Sequence, residues 1–96
     1  MKGAPLAEHE AHLRLETLSG WALNSKGEIT KTFEFKDFAH AILFVNSVGY
    51  FSEKADHHPD IDIRWNQVTL SLTTHSAKGL TELDFKLAEQ VDRCLS

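Results

Sequence analysis

Two stretches of the chain carry side chains suited to moving protons near neutrality: Glu53-Lys54-Ala55-Asp56-His57-His58-Pro59 and Thr74-His75-Ser76. An imidazole titrates near pH 6.5, so it gives up one proton and takes another without a large energetic cost. His57, His58 and His75 together would serve a reaction that needs an acid and a base at once, with Glu53 and Asp56 placed to orient the rings or favour their protonated forms. Two rival chemistries use similar residues. Three imidazoles and a carboxylate are a known zinc ligand set, but adjacent His57 and His58 point apart on an extended strand and their spacing matches no metal motif, so no metal is expected. Nucleophilic catalysis ranks lower still, since Ser76 faces away from neighbouring His75 on a strand and Cys94 has no candidate base nearby. Taken singly, a histidine more often has a surface or structural role; that reading is applied to His9, His12 and His40, which fall on helical patterns.

For His75 to reach the double histidine, the chain between them must double back. Ile61, Ile63 and Trp65 alternate with polar residues, as do Val68, Leu70 and Leu72, on either side of Asn66-Gln67. That is the pattern of a β-hairpin with one buried face. A two-residue turn at Asn66-Gln67 sets Trp65 opposite Val68 and Ile63 opposite Leu70. Extended outward, the same register pairs Pro59 with Thr74 and His58 with His75 at the open end, although Pro59 has no N–H to give a ladder. Pro59 also suits a strand start, and Trp65 a core position.

The other elements follow from periodicity. Pro5 with Leu6, Ala7, Ala11, Leu15 and Leu18 predicts a helix over 5–18, ended by Gly20. Asn24-Ser25-Lys26-Gly27, followed by alternating Ile29, Phe33 and Phe35, predicts a first hairpin. Asp37 is a candidate N-cap for a helix over 38–52 whose core stripe is Phe38, Ala41, Ile42, Val45 and Val48. Leu43, Phe44, Tyr50 and Phe51 fall outside that stripe, so this helix has a second apolar side with either another subunit or a pocket to cover it. Gly79 breaks the chain, Thr81 with Asp84 fits a capping box, and Leu83, Leu87, Val91 and Leu95 form the stripe of a last helix. For Asp84, a cap and a site role weigh equally. The expected class is α+β, in the order helix, hairpin, helix, hairpin, helix, with the helices on one face of one antiparallel sheet.

Composition sets outer limits. A chain of 96 residues is read as one domain, residues 1–96, burying about 60 to 65% of its unfolded surface. Fourteen acidic residues against ten Lys and Arg give a formal charge of −4, and no basic stripe forms, which argues against direct nucleic-acid binding. The single cysteine rules out an intramolecular disulfide and suits a reducing cytoplasm. The longest apolar run, Ala41–Val45, falls far short of the roughly 20 residues of a membrane span, and no secretory leader pattern opens the chain, so a soluble protein is expected.

EKADHHP, an aromatic six residues after its proline at Trp65, Thr74-His75, and GLTELD ending at Asp84 resemble the signature of the pterin-4a-carbinolamine dehydratases. The upstream GWALNSKGEITKTFEFKDFAHAILFV is similar to that family's first hairpin and central helix, so the resemblance covers most of the chain. One departure is Ile61, where many relatives have an aromatic residue. The resemblance implies an αββαββα fold with one four-stranded antiparallel sheet, and a metal-free hydro-lyase that needs no cofactor. Its substrate would be a 4a-hydroxytetrahydropterin, dehydrated to the quinonoid dihydropterin within tetrahydrobiopterin recycling, in the pathway that serves aromatic amino acid hydroxylases. It further implies that His57, His58 and His75 are the active-site imidazoles and contact the pterin, that Pro59, Thr74, His75, Ser76 and Ala77 border it, and that Asp84 is the signature acid. A homodimer or homotetramer is implied too, in keeping with a central helix apolar on two sides. A second class stays open, because some relatives of this kind act as transcriptional coactivators or assembly factors without turnover.

Overall fold

The computed structural model describes residues 4–95. Its elements are α1 (Glu8–Glu16), β1 (Ala22–Leu23), β2 (Ile29–Glu34), α2 (Phe38–Ala55), β3 (Asp60–Arg64), β4 (Gln67–Leu72) and α3 (Glu82–Cys94), with a 3-10 turn at His75–Ala77 between β4 and α3. The four strands form one antiparallel sheet in the order β1-β2-β4-β3. This is the αββαββα, α+β architecture expected from the sequence.

Strand alternation decides which face the helices cover. Ile29 and Phe33 of β2 and Val68, Leu70 and Leu72 of β4 are buried on one side of the sheet, where Ala41, Phe44 and Val48 of α2 and Phe85, Leu87, Ala88 and Val91 of α3 complete the core. The opposite face carries hydroxyl pairs instead, Thr32 with Thr69 at 2.8 Å and Thr30 with Ser71 at 3.2 Å. Phe33 and Phe35 both stack on Phe44, with ring centroids 4.8 and 4.9 Å apart, which pins α2 to β2. Between β1 and β2, the Asn24 side-chain carbonyl accepts from the backbone N–H groups of Lys26 and Glu28, and Gly27 takes the left-handed conformation that the turn needs.

Four expectations are corrected in detail. The first helix spans Glu8–Glu16 rather than 5–18; none of its residues is buried, and Leu18, which is buried, lies beyond it. Asp37 caps α2 by accepting from the His40 N–H, as expected, but the buried residues of that helix are Ala41, Phe44, Val48 and Ser52, while Phe38 is 52% exposed. At 100° per residue this is a rotation of about half a residue step, enough to bring Phe44 in and carry Phe38 out. The second hairpin turns one residue earlier than expected, at Trp65-Asn66, so that Ile63 faces Val68 and Ile61 faces Leu70. The reason is Asn66: its side-chain amide donates to the Phe35 carbonyl, whose own N–H donates to the Asn66 carbonyl, so Asn66 is tied into the turn. Trp65 then sits in the left-handed region at the tip, 70% exposed, instead of entering the core. Finally, β4 ends at Leu72 and His75 opens a 3-10 turn, so no ladder pairs it with His58.

Candidate active site

The end of α2 sets the double histidine. Asp56, the residue after the helix, takes a left-handed conformation, and its N–H and that of His57 bond back to the carbonyls of Glu53 and Ser52. This is a helix C-terminus closed by a left-handed residue, and it reverses the chain sharply. The reversal leaves one ring buried and the other exposed. His57 is buried at 4% exposure, and His58 is exposed, with its Nε2 2.6 Å from Glu53 Oε2.

The third imidazole comes from a different device. Thr74 and Gly79 form an isolated antiparallel bridge with reciprocal backbone bonds of 3.2 and 3.3 Å. The bridge closes the loop that carries the 3-10 turn. Ala77 N–H bonds to the Thr74 carbonyl and Lys78 N–H to the His75 carbonyl, so His75 is displayed on a tight, internally bonded loop. His57, His58, Thr73, Thr74, His75 and Ser76 line one open cavity of 260 Å³. A second cavity of 460 Å³ shares Thr73 and His75 with it and extends past Lys26, Gly27, Glu28, Lys78 and Gly79.

Below the cavity lies a buried polar cluster at the start of α3. Thr81 is the N-cap and Asp84 the third helical residue, and they form the expected capping box: Leu83 N–H donates to Thr81 Oγ1, and Thr81 N–H donates to Asp84 Oδ2 at 2.9 Å. Thr74 Oγ1 stands 2.8 Å from both Asp84 Oδ2 and Thr81 Oγ1. The other carboxyl oxygen, Oδ1, lies 2.5 Å from His57 Nε2. Asp84 is fully buried at 0% exposure, so these contacts are screened from solvent and each is costly to break.

Not every residue singled out from the sequence meets the cavity. The structure brings together His57, His58, His75, Thr74 and Ser76, and adds Thr73, which no spacing argument pointed to. Pro59 and Ala77 do not line it. Thr74 does, but its hydroxyl turns inward to Asp84 and Thr81 rather than outward. Glu53 reaches His58, whereas Asp56 contributes its backbone to the reversal. His40 is bonded to Asp37, and His12 lines a separate apolar hollow of 190 Å³ beneath α1 with Leu6, Leu15 and Leu80. Among the described residues, no group of three or more His, Cys, Asp and Glu is arranged to hold a metal ion, and no helix is long and apolar enough to cross a membrane.

The model of the family described as pterin 4 alpha carbinolamine dehydratase matches residues 4–94. A protein from Roseiflexus sp. (strain RS-1), provisionally named pterin-4-alpha-carbinolamine dehydratase, is 52% identical over 94% of this chain and 96% of its own. One from Acidobacterium capsulatum with the same provisional name is 51% identical over 85% of this chain and 88% of its own. Among solved structures, a transcriptional coactivator/pterin dehydratase from Brucella melitensis superposes with a TM-score of 0.91 at 38% identity, covering 96% of this chain and 99% of that one. A pterin dehydratase-like protein identified as a RuBisCO assembly factor shares the fold at a TM-score of 0.66 and 24% identity, over 77% of this chain and 87% of that one.

Proposed function

This chain belongs to the pterin-4-alpha-carbinolamine dehydratase family, and from that premise we propose that it dehydrates 4a-hydroxytetrahydropterins to quinonoid dihydropterins by histidine acid/base catalysis. The observation that carries the reading is the convergence of three imidazoles, from the end of α2 and from the loop after β4, on one 260 Å³ cavity. Loss of water from C4a requires a proton for the departing hydroxyl and removal of the proton on N5. Two imidazoles can share those transfers, each worth about 10²–10⁴ in rate. His57 and His75 are assigned to the two transfers and His58 to substrate contact. The open cavity falls just below the range typical of enclosed small-molecule sites, about 300–1,000 Å³, and suits a flat bicyclic ring. The adjoining 460 Å³ space offers an exit for the ring's side chain.

On this reading the reaction uses no metal or redox cofactor, and the product returns to tetrahydrobiopterin recycling in the cytoplasm. The exposed apolar residues of α2, Phe38, Leu43 and Tyr50 at 52, 62 and 61%, favour a homo-oligomer built through that helix. The same surface favours a second reading, a non-catalytic binding partner, in line with the coactivator half of the Brucella protein's description. One experiment separates them. Spectrophotometric dehydration of a synthetic 4a-hydroxytetrahydropterin is expected to accelerate with the wild-type protein and to drop on His75→Ala. No acceleration by the wild type, or wild-type rates in the variant, would overturn the catalytic reading.

A further inference from the structure

The hydrogen bonds of the buried cluster beneath the cavity constrain where its protons sit. Thr81 N–H can only donate, so Asp84 Oδ2 accepts from it. Thr74 and Thr81 each have a single hydroxyl proton, and their oxygens are 2.8 Å apart. If Thr74 gave its proton to Thr81, the Thr81 proton would be left without an acceptor in a site where Thr81 is 2% exposed, at a cost of about 1–3 kcal/mol. The arrangement that strands nothing runs one way: Thr81 O–H donates to Thr74, Thr74 O–H donates to Asp84 Oδ2, and Oδ2 carries two donors and no proton. As a carboxylate, Asp84 then accepts at Oδ1 from His57 Nε2–H across 2.5 Å.

The other ring nitrogen follows by elimination. Among the described residues no sealed side-chain nitrogen or oxygen lacks a hydrogen-bond partner. Nδ1 of His57 makes no such bond to any described residue, so it is not sealed among them, and the opening available to it is the cavity that His57 lines. We propose that Asp84, held in place by Thr74 and Thr81, fixes neutral His57 as its Nε2–H tautomer, making the Nδ1 lone pair the proton acceptor of the site. Thr74 and Asp84 are thereby positioning residues, and Thr74 does its work facing away from the substrate.

What the acceptor takes rests on the dehydratase reading. The N5–H proton passes to Nδ1, the N5 electron pair forms the N5–C4a double bond, and the C4a–O bond breaks as the hydroxyl leaves as water with a proton from His75. His57 ends as the imidazolium and returns its proton to solvent, from which His75 takes one back to close the cycle. The tautomer itself does not rest on that reading, and the two can fail separately.

The test is a ¹⁵N-histidine-labelled sample followed by long-range ¹H–¹⁵N spectra across a pH series. Neutral His57 is expected to show a pyrrole-type Nε2 and a pyridine-type Nδ1; the reverse pattern overturns the proposal. In Asp84→Asn the amide oxygen can replace Oδ2 toward Thr74 and the Thr81 N–H, while the amide NH₂ faces His57. The ring must then accept at Nε2 and carry its proton on Nδ1, so the ¹⁵N pattern should invert and kcat should fall about 10²–10⁴-fold with little change in KM. An unchanged tautomer or an unchanged kcat in that variant overturns the proposal. If Asp84→Asn does not fold, the wild-type spectrum decides alone. A wild-type protein with the expected tautomer but no dehydration would sink the functional reading and leave this one standing.

Discussion

Truncating Asp84 to alanine should be among the most damaging single substitutions in the chain, and its cost can be worked from the contacts. The side chain is fully buried and accepts from the Thr74 hydroxyl and the Thr81 N–H while facing His57 Nε2. Asp84→Ala leaves those groups without a partner, each costing about 1–3 kcal/mol where water cannot reach. Breaking a buried pair from one side typically costs about 3–5 kcal/mol, and since Thr74 and Thr81 can still bond each other, we expect about 4 kcal/mol. Against a total of about 5–14 kcal/mol for a domain this size, the variant would be marginal at 37 °C. Urea unfolding followed by tryptophan fluorescence is the assay, with a midpoint about 2–3 M lower for a slope near 1.5 kcal/mol/M. Asp84→Asn keeps acceptors for the two threonine donors and should lose only about 1–2 kcal/mol. The sharper check is a double-mutant cycle. Thr74→Val removes one stranded donor, so it should cost about 1 kcal/mol less on the Asp84→Ala background than on the wild type. Full additivity, or an Asp84→Ala loss below about 1 kcal/mol, would refute the claim that this cluster depends on Asp84.

Four further outcomes are expected. His75→Ala should lower the dehydration rate by about 10²-fold or more while leaving the urea midpoint near the wild-type value, because His75 is exposed on its loop. Leu43→Glu, on the outward face of α2, should reduce the mass seen by sedimentation without loss of helical circular dichroism, since Leu43 is 62% exposed in the monomer. Asp37 is held below the ordinary carboxylate range, first by the His40 backbone N–H and then by its ring, and Glu82 likewise by the Arg14 guanidinium. Their contribution is therefore present above about pH 4 and lost as pH falls through the lowered values, so Asp37→Asn should flatten the fall of Tm below about pH 4. Gly20→Ala should cost about 1–2 kcal/mol in urea, more than Gly27→Ala. Both glycines have positive φ, but a Cβ on Gly20 would also meet Lys31 Cε at 3.0 Å, in a side chain tied to Ser19 O and Asp92, whereas Gly27 faces open space.

The element order was legible because each element carries its own local signal: Asp37 and Thr81 as caps, Asn24 and Gly27 in a turn, alternation in β2 and β4. What depends on contacts between elements was not. Periodicity places an apolar arc on α2 but cannot say where its centre lies, since Phe38 and Phe44 flank Ala41 on either side and only the stack with Phe33 and Phe35 selects Phe44. The turn at Trp65-Asn66 was hidden for the same reason. Asn66 holds its place through the Phe35 backbone, 31 residues away, and β3, being an edge strand, leaves Ile61 and Ile63 at 39 and 37% exposure. Phe85 at 1% exposure and the cavity residue Thr73 had no spacing signal of their own.

That a shifted register still brings the same three histidines to one cavity has a physical explanation. Moving the turn back by one residue slides the pairing by two positions, and since side chains alternate with period two, every β3 residue keeps its face. The hairpin therefore still returns β4 toward the end of α2, which is all that convergence on one cavity requires. The alignment of the rings is set beyond the ladder, by the left-handed Asp56 on one side and the Thr74–Gly79 bridge on the other. The contacts of Asp84 leave room for both of its readings from sequence. A carboxylate has two oxygens facing different ways: Oδ2 closes the α3 cap and Oδ1 meets His57. Because the helix must form for Thr81 and Asp84 to hold that pose, the orientation of the buried imidazole is coupled to the folding of α3. A variant that frays the α3 N-terminus should lose the fixed His57 tautomer before it loses the sheet.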